Sequence, residues 1–174
     1  QAGEAFWKKY VREESTGPTE VTIITDTTTP WTMDPQDILW RGAVAVALAV
    51  LLEEKGYKVE LWVVCGSLLF RNSDIGVCMA CQLKKTSDML DVSTLINTMS
   101  GWFYRNSTFS LMETICLKNG EKVEHGYGTI YPPKPQDLDE ISRDEYRVYS
   151  SGVYTYNGAL GVIKAEMAKF AAKE

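Results

Sequence analysis

Residues 22–35 read TIITDTTTPWTMDP, with one carboxylate, Asp26, at the end of a β-branched run and three hydroxyls, Thr27, Thr28 and Thr29, directly behind it. Oxygen donors gathered at the carboxyl end of a first strand are the ligands that Mg²⁺ prefers. The same groups also cap turns and satisfy backbone N–H groups where a strand stops. Mg²⁺ needs near-octahedral oxygen coordination and is held weakly where carboxylates are few, so Asp26 with Thr28 alone makes a poor metal site. The expectation is a degenerate site, with these side chains capping the end of the strand.

Three other groups could carry chemistry. Cys78-Met-Ala-Cys81 has the spacing of a metal or redox pair, but it lies in an apolar run that reads as a strand, where residues three apart face opposite sides. With no second such pair and a single histidine, zinc has too few ligands, so Cys65, Cys78, Cys81 and Cys116 are expected to be structural thiols. His125 in EHGYG would need a spatial partner to act as a base, and its flanking glycines fit a tight turn. Gly101-Trp-Phe-Tyr-Arg-Asn106 joins three aromatics to an arginine, a combination that suits core packing, a protein contact or base stacking.

The whole chain limits these choices. At 174 residues, 45% hydrophobic and 24% charged, it can bury the core of one ordinary domain. A net charge of −5 opposes broad binding to a phosphate backbone, so a nucleic-acid partner is not expected. The longest apolar run, residues 43–52, falls short of the roughly 20 residues that cross a bilayer. The first residue is Gln, and the chain is expected to be processed or cut from something larger.

The elements that must position Asp26 are legible. Residues 1–20 form an amphipathic lead-in and 21–174 the domain, which opens with a strand over 21–25. Asp34 as N-cap and Pro35 at the first position start a helix that runs through GAVAVALAVLL and stops at Gly56. An apolar strand, 57–65, follows at once, giving a βαβ unit with a right-handed crossover. The short turn after it returns IGVCMACQLKK as an antiparallel edge strand, with Lys84 and Lys85 discouraging further pairing. Asp91 or Ser93 caps a helix through Met99, and another runs to about Ile115. Residues 118–135 read as loop, YRVYSSGVYTY as a late strand bending at Gly152, and Asn157-Gly158 as the opening of a last helix.

That order resembles the von Willebrand A-type fold: three-layer α/β, doubly wound, with a mostly parallel sheet and one antiparallel edge. The metal motif of that family is Asp-x-Ser-x-Ser. Asp26 matches its first position and Thr28 its second, while Pro30 stands at the third and no Asp follows the late strand. RGAVAVALAVLLEEKGYKVELWVV, from Arg41, together with FYRNSTFSLMET and HGYG, is similar to a block in uncharacterised bacterial and phage proteins, over roughly residues 20–170.

These resemblances imply a non-enzymatic adaptor domain with no cofactor and no bound metal, in a phage or bacterial protein of the (host) cytoplasm. The implied partner is a protein, an AAA-class ATPase or a phage component, with no membrane contact. Thr27, Thr29, Trp31, Trp102, Phe103 and Arg105 are the candidate contact residues. The alternative is a PIN-like metal-dependent nuclease, which the strand ending in Asp26 also resembles. It would need Asp34, Asp74 or the acidic residues over 137–144 beside Asp26. Single-strand binding through Trp102, Phe103 and Arg105 is a weaker alternative.

Overall fold

The computed structural model describes residues 19–30, 32–68, 76–98, 103, 107–121, 131–142 and 146–172. Among these, β1 is Glu20–Asp26, α1 Pro35–Glu54, β2 Lys58–Leu68, β3 Gly76–Lys84, α2 Val92–Thr98, α3 Phe109–Lys118, α4 Pro135–Ile141, β4 Arg147–Ser150 and α5 Tyr156–Ala171. The result is an α/β fold with a four-stranded mixed sheet in the order β3-β2-β1-β4. β1 runs parallel to both β2 and β4, and β2 and β3 are antiparallel. The antiparallel edge strand expected from the short turn is therefore present.

α1 starts as its sequence dictates. The Asp34 carboxylate accepts from the Gln36 N–H at 2.9 Å, and Pro35 sits where a missing N–H costs nothing. The helix ends at Glu54, and past its cap Lys55 comes Gly56, whose φ of +87° is one that L side chains rarely adopt. Val44, Ala45, Leu48, Ala49 and Leu52 recur at helical spacing and are buried against Val21 and Ile23 of β1, Val59 and Leu61 of β2, and Val148 of β4. Burying each large aliphatic side chain there is worth about 1.5–3 kcal/mol. α5 joins the same cluster through Ala159 and Phe170, with the Phe170 ring edge-on to Tyr57 at 5.3 Å.

Alternation along the strands sends the intervening residues the other way. Ile24 and Val64 pack with Leu138 and Ile141 of α4, alongside Trp62, Cys78, Ala80 and Tyr149. α4 lies where the sequence reads as the end of a loop and the start of an acidic stretch. Its start is nevertheless local: Pro135 opens it, and the Asp137 carboxylate caps it by accepting from Lys134 N–H at 2.7 Å.

Three local expectations are corrected. The last strand stops at Ser150 rather than running to Tyr156, because Gly152 takes φ +68° and turns the chain. α5 opens at Tyr156, with the Thr155 hydroxyl accepting from Gly158 N–H, rather than at Asn157-Gly158. Lys84 does not guard the sheet edge. A register irregularity at Leu61/Trp62 sets it opposite Leu61, on the α1 side. There its buried ammonium donates to the carbonyls of Val59 and Lys85 and pairs with Glu53 at 2.7 Å.

Candidate functional site

β1 ends at Asp26 and β4 beside it at Ser150, while β2 pairs with Asp26 through Val64 and runs on to Leu68. The Asp26 side chain leaves β1 on the α4 side and is 4% exposed. One carboxylate oxygen, Oδ1, accepts from Thr28 N–H at 2.8 Å, which closes a tight Asx turn. The other, Oδ2, accepts from the Tyr149 phenol at 2.9 Å. Tyr149 reaches it because β4 pairs with β1 so that Ile24 and Tyr149 are register partners, one step diagonally from Asp26.

The Thr27 and Thr28 hydroxyls behind Asp26 are also engaged. Thr27 donates to the Val64 carbonyl from both its N–H and its hydroxyl, at 2.9 and 3.0 Å. The Thr28 hydroxyl accepts from Gly66 N–H at 2.8 Å. Thr27, Thr28 and Thr29 are all buried, so the expected contact residues Thr27 and Thr29 present almost no side chain to solvent. Arg41 completes the arrangement from α1. Its Nη1 donates to the carbonyls of Asp26 and Thr28, both at 2.9 Å, and its guanidinium carbon lies 4.9 Å from the Tyr154 ring centre.

The α4 side of this site is closed by the segment over 131–134. The Tyr131 ring and carbonyl lie so close to β2 and β3 that a Cβ on Gly76 would fall 2.1 Å from the ring, and one on Gly66 1.9 Å from the carbonyl oxygen. Lys134 sits over that ring at 5.1 Å. Burial, then the Asp137 and Asp26 charges, push the Cys78 thiol up from 9.0 to about 12. Burial, the Asp26 charge and the hydrogen bond to Asp26 raise the Tyr149 phenol well above its usual 10.0. Both groups are neutral at physiological pH and are suppressed as nucleophiles or bases.

The other sequence candidates are scattered. Cys78 and Cys81 do face opposite sides. Cys78 packs under α4, while Cys81 lines an apolar cavity of about 250 Å³ with Cys65, Met79, Leu83, Phe103 and Leu111. Burial against that apolar wall raises the Cys81 thiol too, and all four cysteines are free thiols. Of the acidic residues a nuclease would recruit, Asp34 and Asp137 cap helices and Asp139 pairs with Arg147 at 2.7 Å. Among the described residues no three His, Cys, Asp or Glu side chains are grouped to hold a metal. Trp31, Asp74, Trp102, Arg105, His125 and Asp144 lie outside the described residues, as does the lead-in over 1–18. No described helix is long and apolar enough to cross a membrane.

Sequence reasoning missed Tyr149, Arg41 and Tyr131. Tyr149 was visible only as one of several alternating tyrosines, and nothing local indicated its bond to a residue 123 positions away. Arg41 did leave a signal, as a lone charge at the head of an apolar helical run.

Fold and site together define an α/β domain whose mixed sheet carries, at its carboxyl edge, an acidic turn tied down by its own side chains. The chain belongs to the family described as Domain of unknown function (DUF7192), whose model matches residues 3–157. No curated protein and no solved structure matches it.

Proposed function

We propose that this chain is a non-enzymatic protein-interaction module, an adaptor built on a three-layer arrangement like that of A-type domains, in which the metal position has been taken over by structure. The observation that carries this reading is the commitment of both Asp26 carboxylate oxygens, one to Thr28 N–H and one to the Tyr149 phenol. Each oxygen keeps a lone pair, but the carboxylate is 4% exposed and no second or third ligand is grouped with it among the described residues. A cation there would have to enter a closed site with one charge to hold it. The Thr28 hydroxyl, at the second motif position, accepts from Gly66 N–H and faces into the protein. The strand order, with its single antiparallel edge, and the apolar clusters on the two faces of the sheet support the three-layer reading.

The contact surface proposed is the one around Phe103, which with the exposed Leu111 of α3 lines the apolar cavity, while Ile115 is exposed one turn further along α3. Trp102 and Arg105 lie within two residues of Phe103 in sequence, and Trp31 follows Pro30. Exposed apolar side chains grouped around a concavity suit a protein partner better than a charged polymer. An AAA-class ATPase or a phage component in the bacterial cytoplasm is the partner class that the resemblance implies.

Thermal melts in Mg²⁺ and Mn²⁺ test the degenerate site. The melting temperature is expected to be the same as in buffer, for the native chain and for Asp26→Asn. A metal-dependent rise that Asp26→Asn removes would overturn the reading. For the surface, Leu111→Glu is expected to keep the fold and to abolish capture of the partner that the native chain retains. Undiminished capture would place the contact elsewhere.

A further inference from the structure

Among the described residues, three buried polar atoms at the head of β1 and β4 have no hydrogen-bond partner: Thr25 Oγ1, Ser150 Oγ and Arg41 Nε. Thr25 and Ser150 are register partners in the parallel β1–β4 pair, 0% and 1% exposed. Both point to the α1 side of the sheet, since Ile23 and Val148, two residues earlier in their strands, pack in the cluster with α1. Arg41 extends from α1 to the same end of β1, where its Nη1 holds the Asp26 and Thr28 carbonyls. Tyr154, which follows β4, lays its ring over the guanidinium. Two strands, one helix and one loop thus converge on a single place.

The chemistry of that place is one-sided. Arg41 is 2% exposed, and the ion pairs among the described residues, Lys84–Glu53, Arg147–Asp139 and Lys169–Glu166, leave it out. A buried guanidinium without a counter-charge is costly. Its Nη1 edge is spent on two carbonyls, whereas Nε lies on the edge it shares with Nη2. That edge is the fork that grips two oxygens of a carboxylate or phosphate side by side. The Thr25 and Ser150 hydroxyls can each donate one more hydrogen bond. The location agrees with the topology. β2 lies on one side of β1 and β4 on the other, and at such a switch point open α/β sheets receive ligands beyond the carboxyl ends of their strands.

We propose that Arg41, Thr25 and Ser150 form a binding site for a small oxyanion, a phosphate or carboxylate group, on the α1 side of the carboxyl ends of β1 and β4. The anion lies across the Nε–Nη2 fork and accepts from the two hydroxyls, with the half-exposed Tyr154 as the outward wall. The site lies on the opposite sheet face from the Asp26 carboxylate and does not depend on the adaptor reading.

The test uses inorganic phosphate and acetate as probes, each titrated against chloride at matched ionic strength, with melting temperature and calorimetric titration as readouts. A saturable stabilisation by one of the two is expected. A response to phosphate alone assigns a tetrahedral group, and a response to acetate alone assigns a carboxylate. Thr25→Val and Ser150→Ala remove the hydroxyls without asking Arg41 to release the loop. In chloride both variants should melt at or above the native temperature, because each deletes an unsatisfied buried group. Each should weaken the anion about tenfold, the loss of one hydrogen bond to a charged ligand. Identical native melting in chloride, phosphate and acetate would overturn the proposal. So would an anion response that both variants keep in full.

Discussion

The Tyr149 phenol donates to Asp26 Oδ2 across 2.9 Å and so ties the end of β4 to the end of β1 on the α4 side of the sheet. The bond satisfies the carboxylate oxygen that the Asx turn leaves over, and it does so where little water reaches. Tyr149→Phe keeps the ring and removes only this donor. It is expected to cost about 1–3 kcal/mol in urea unfolding, the penalty for stranding a buried acceptor. It should also free Oδ2, so any weak divalent-metal response should be larger in Tyr149→Phe than in the native chain. A variant as stable as the native protein would show that the bond contributes nothing.

Alkaline pH probes the same pocket through two groups whose protonated forms the fold favours. The Cys78 thiol is raised from 9.0 to about 12, chiefly by burial, and the Tyr149 phenol is raised above 10.0, by burial and then by the Asp26 charge. The unfolded chain releases these protons first, so the stability they contribute is whole below pH 9 and is lost as pH climbs through the raised values. Urea midpoints measured from pH 8 to about 11 should therefore fall less steeply in Cys78→Ala than in the native chain. A thiol reagent at pH 8 should find Cys78 close to inert until the protein unfolds. Equal slopes in the two proteins would remove Cys78 from the account.

How much of this was legible depended on how far apart the interacting residues lie in sequence. The α1 caps, the βαβ unit and the antiparallel return of β3 follow from neighbours: Asp34 beside Pro35, Gly56 after Leu52, a short turn after β2. The capped start of Asp26's own turn was legible for the same reason, since Thr28 is two residues away. Lys84 was misread because a single irregularity at Leu61/Trp62 turned it from the edge to the core, a shift no alternation pattern announces. α4 was missed although Pro135 and Asp137 are both start signals, because the surrounding prolines read as loop. The clasp on Asp26 and the packing of Tyr131 join residues far apart along the chain, and they follow only from the strand order.

The contact of Tyr131 with the hairpin limits what residue 76 can be. A Cβ on Gly76 would lie 2.1 Å from the Tyr131 ring, so Gly76→Ala forces the ring and its segment away from the sheet. An overpacking cost of about 1–3 kcal/mol is expected. If the clash is with that ring, Gly76→Ala placed in a Tyr131→Ala background should cost much less, a coupling that a double-mutant cycle measures directly. Additive costs would mean that Gly76 is needed for some other reason.

Thr28 separates a ligand-binding hydroxyl from a structural one. Its Oγ1 accepts from Gly66 N–H at 2.8 Å while Asp26 Oδ1 holds its own N–H, so the residue links the turn after β1 to β2. Thr28→Val has nearly the same shape but no acceptor, leaving the Gly66 N–H buried and unpaired. It should cost about 1–3 kcal/mol. Thr28→Ser keeps the oxygen and gives up one methyl group, so its loss should be about 1 kcal/mol or less. Hydrogen exchange at Gly66 is the sharper readout, because protection there reports this one bond. Fast exchange in Thr28→Val with protection retained in Thr28→Ser is the pattern expected of a structural clasp. Equal protection in both variants would show that the hydroxyl is free for another use, and the metal reading of this turn would return.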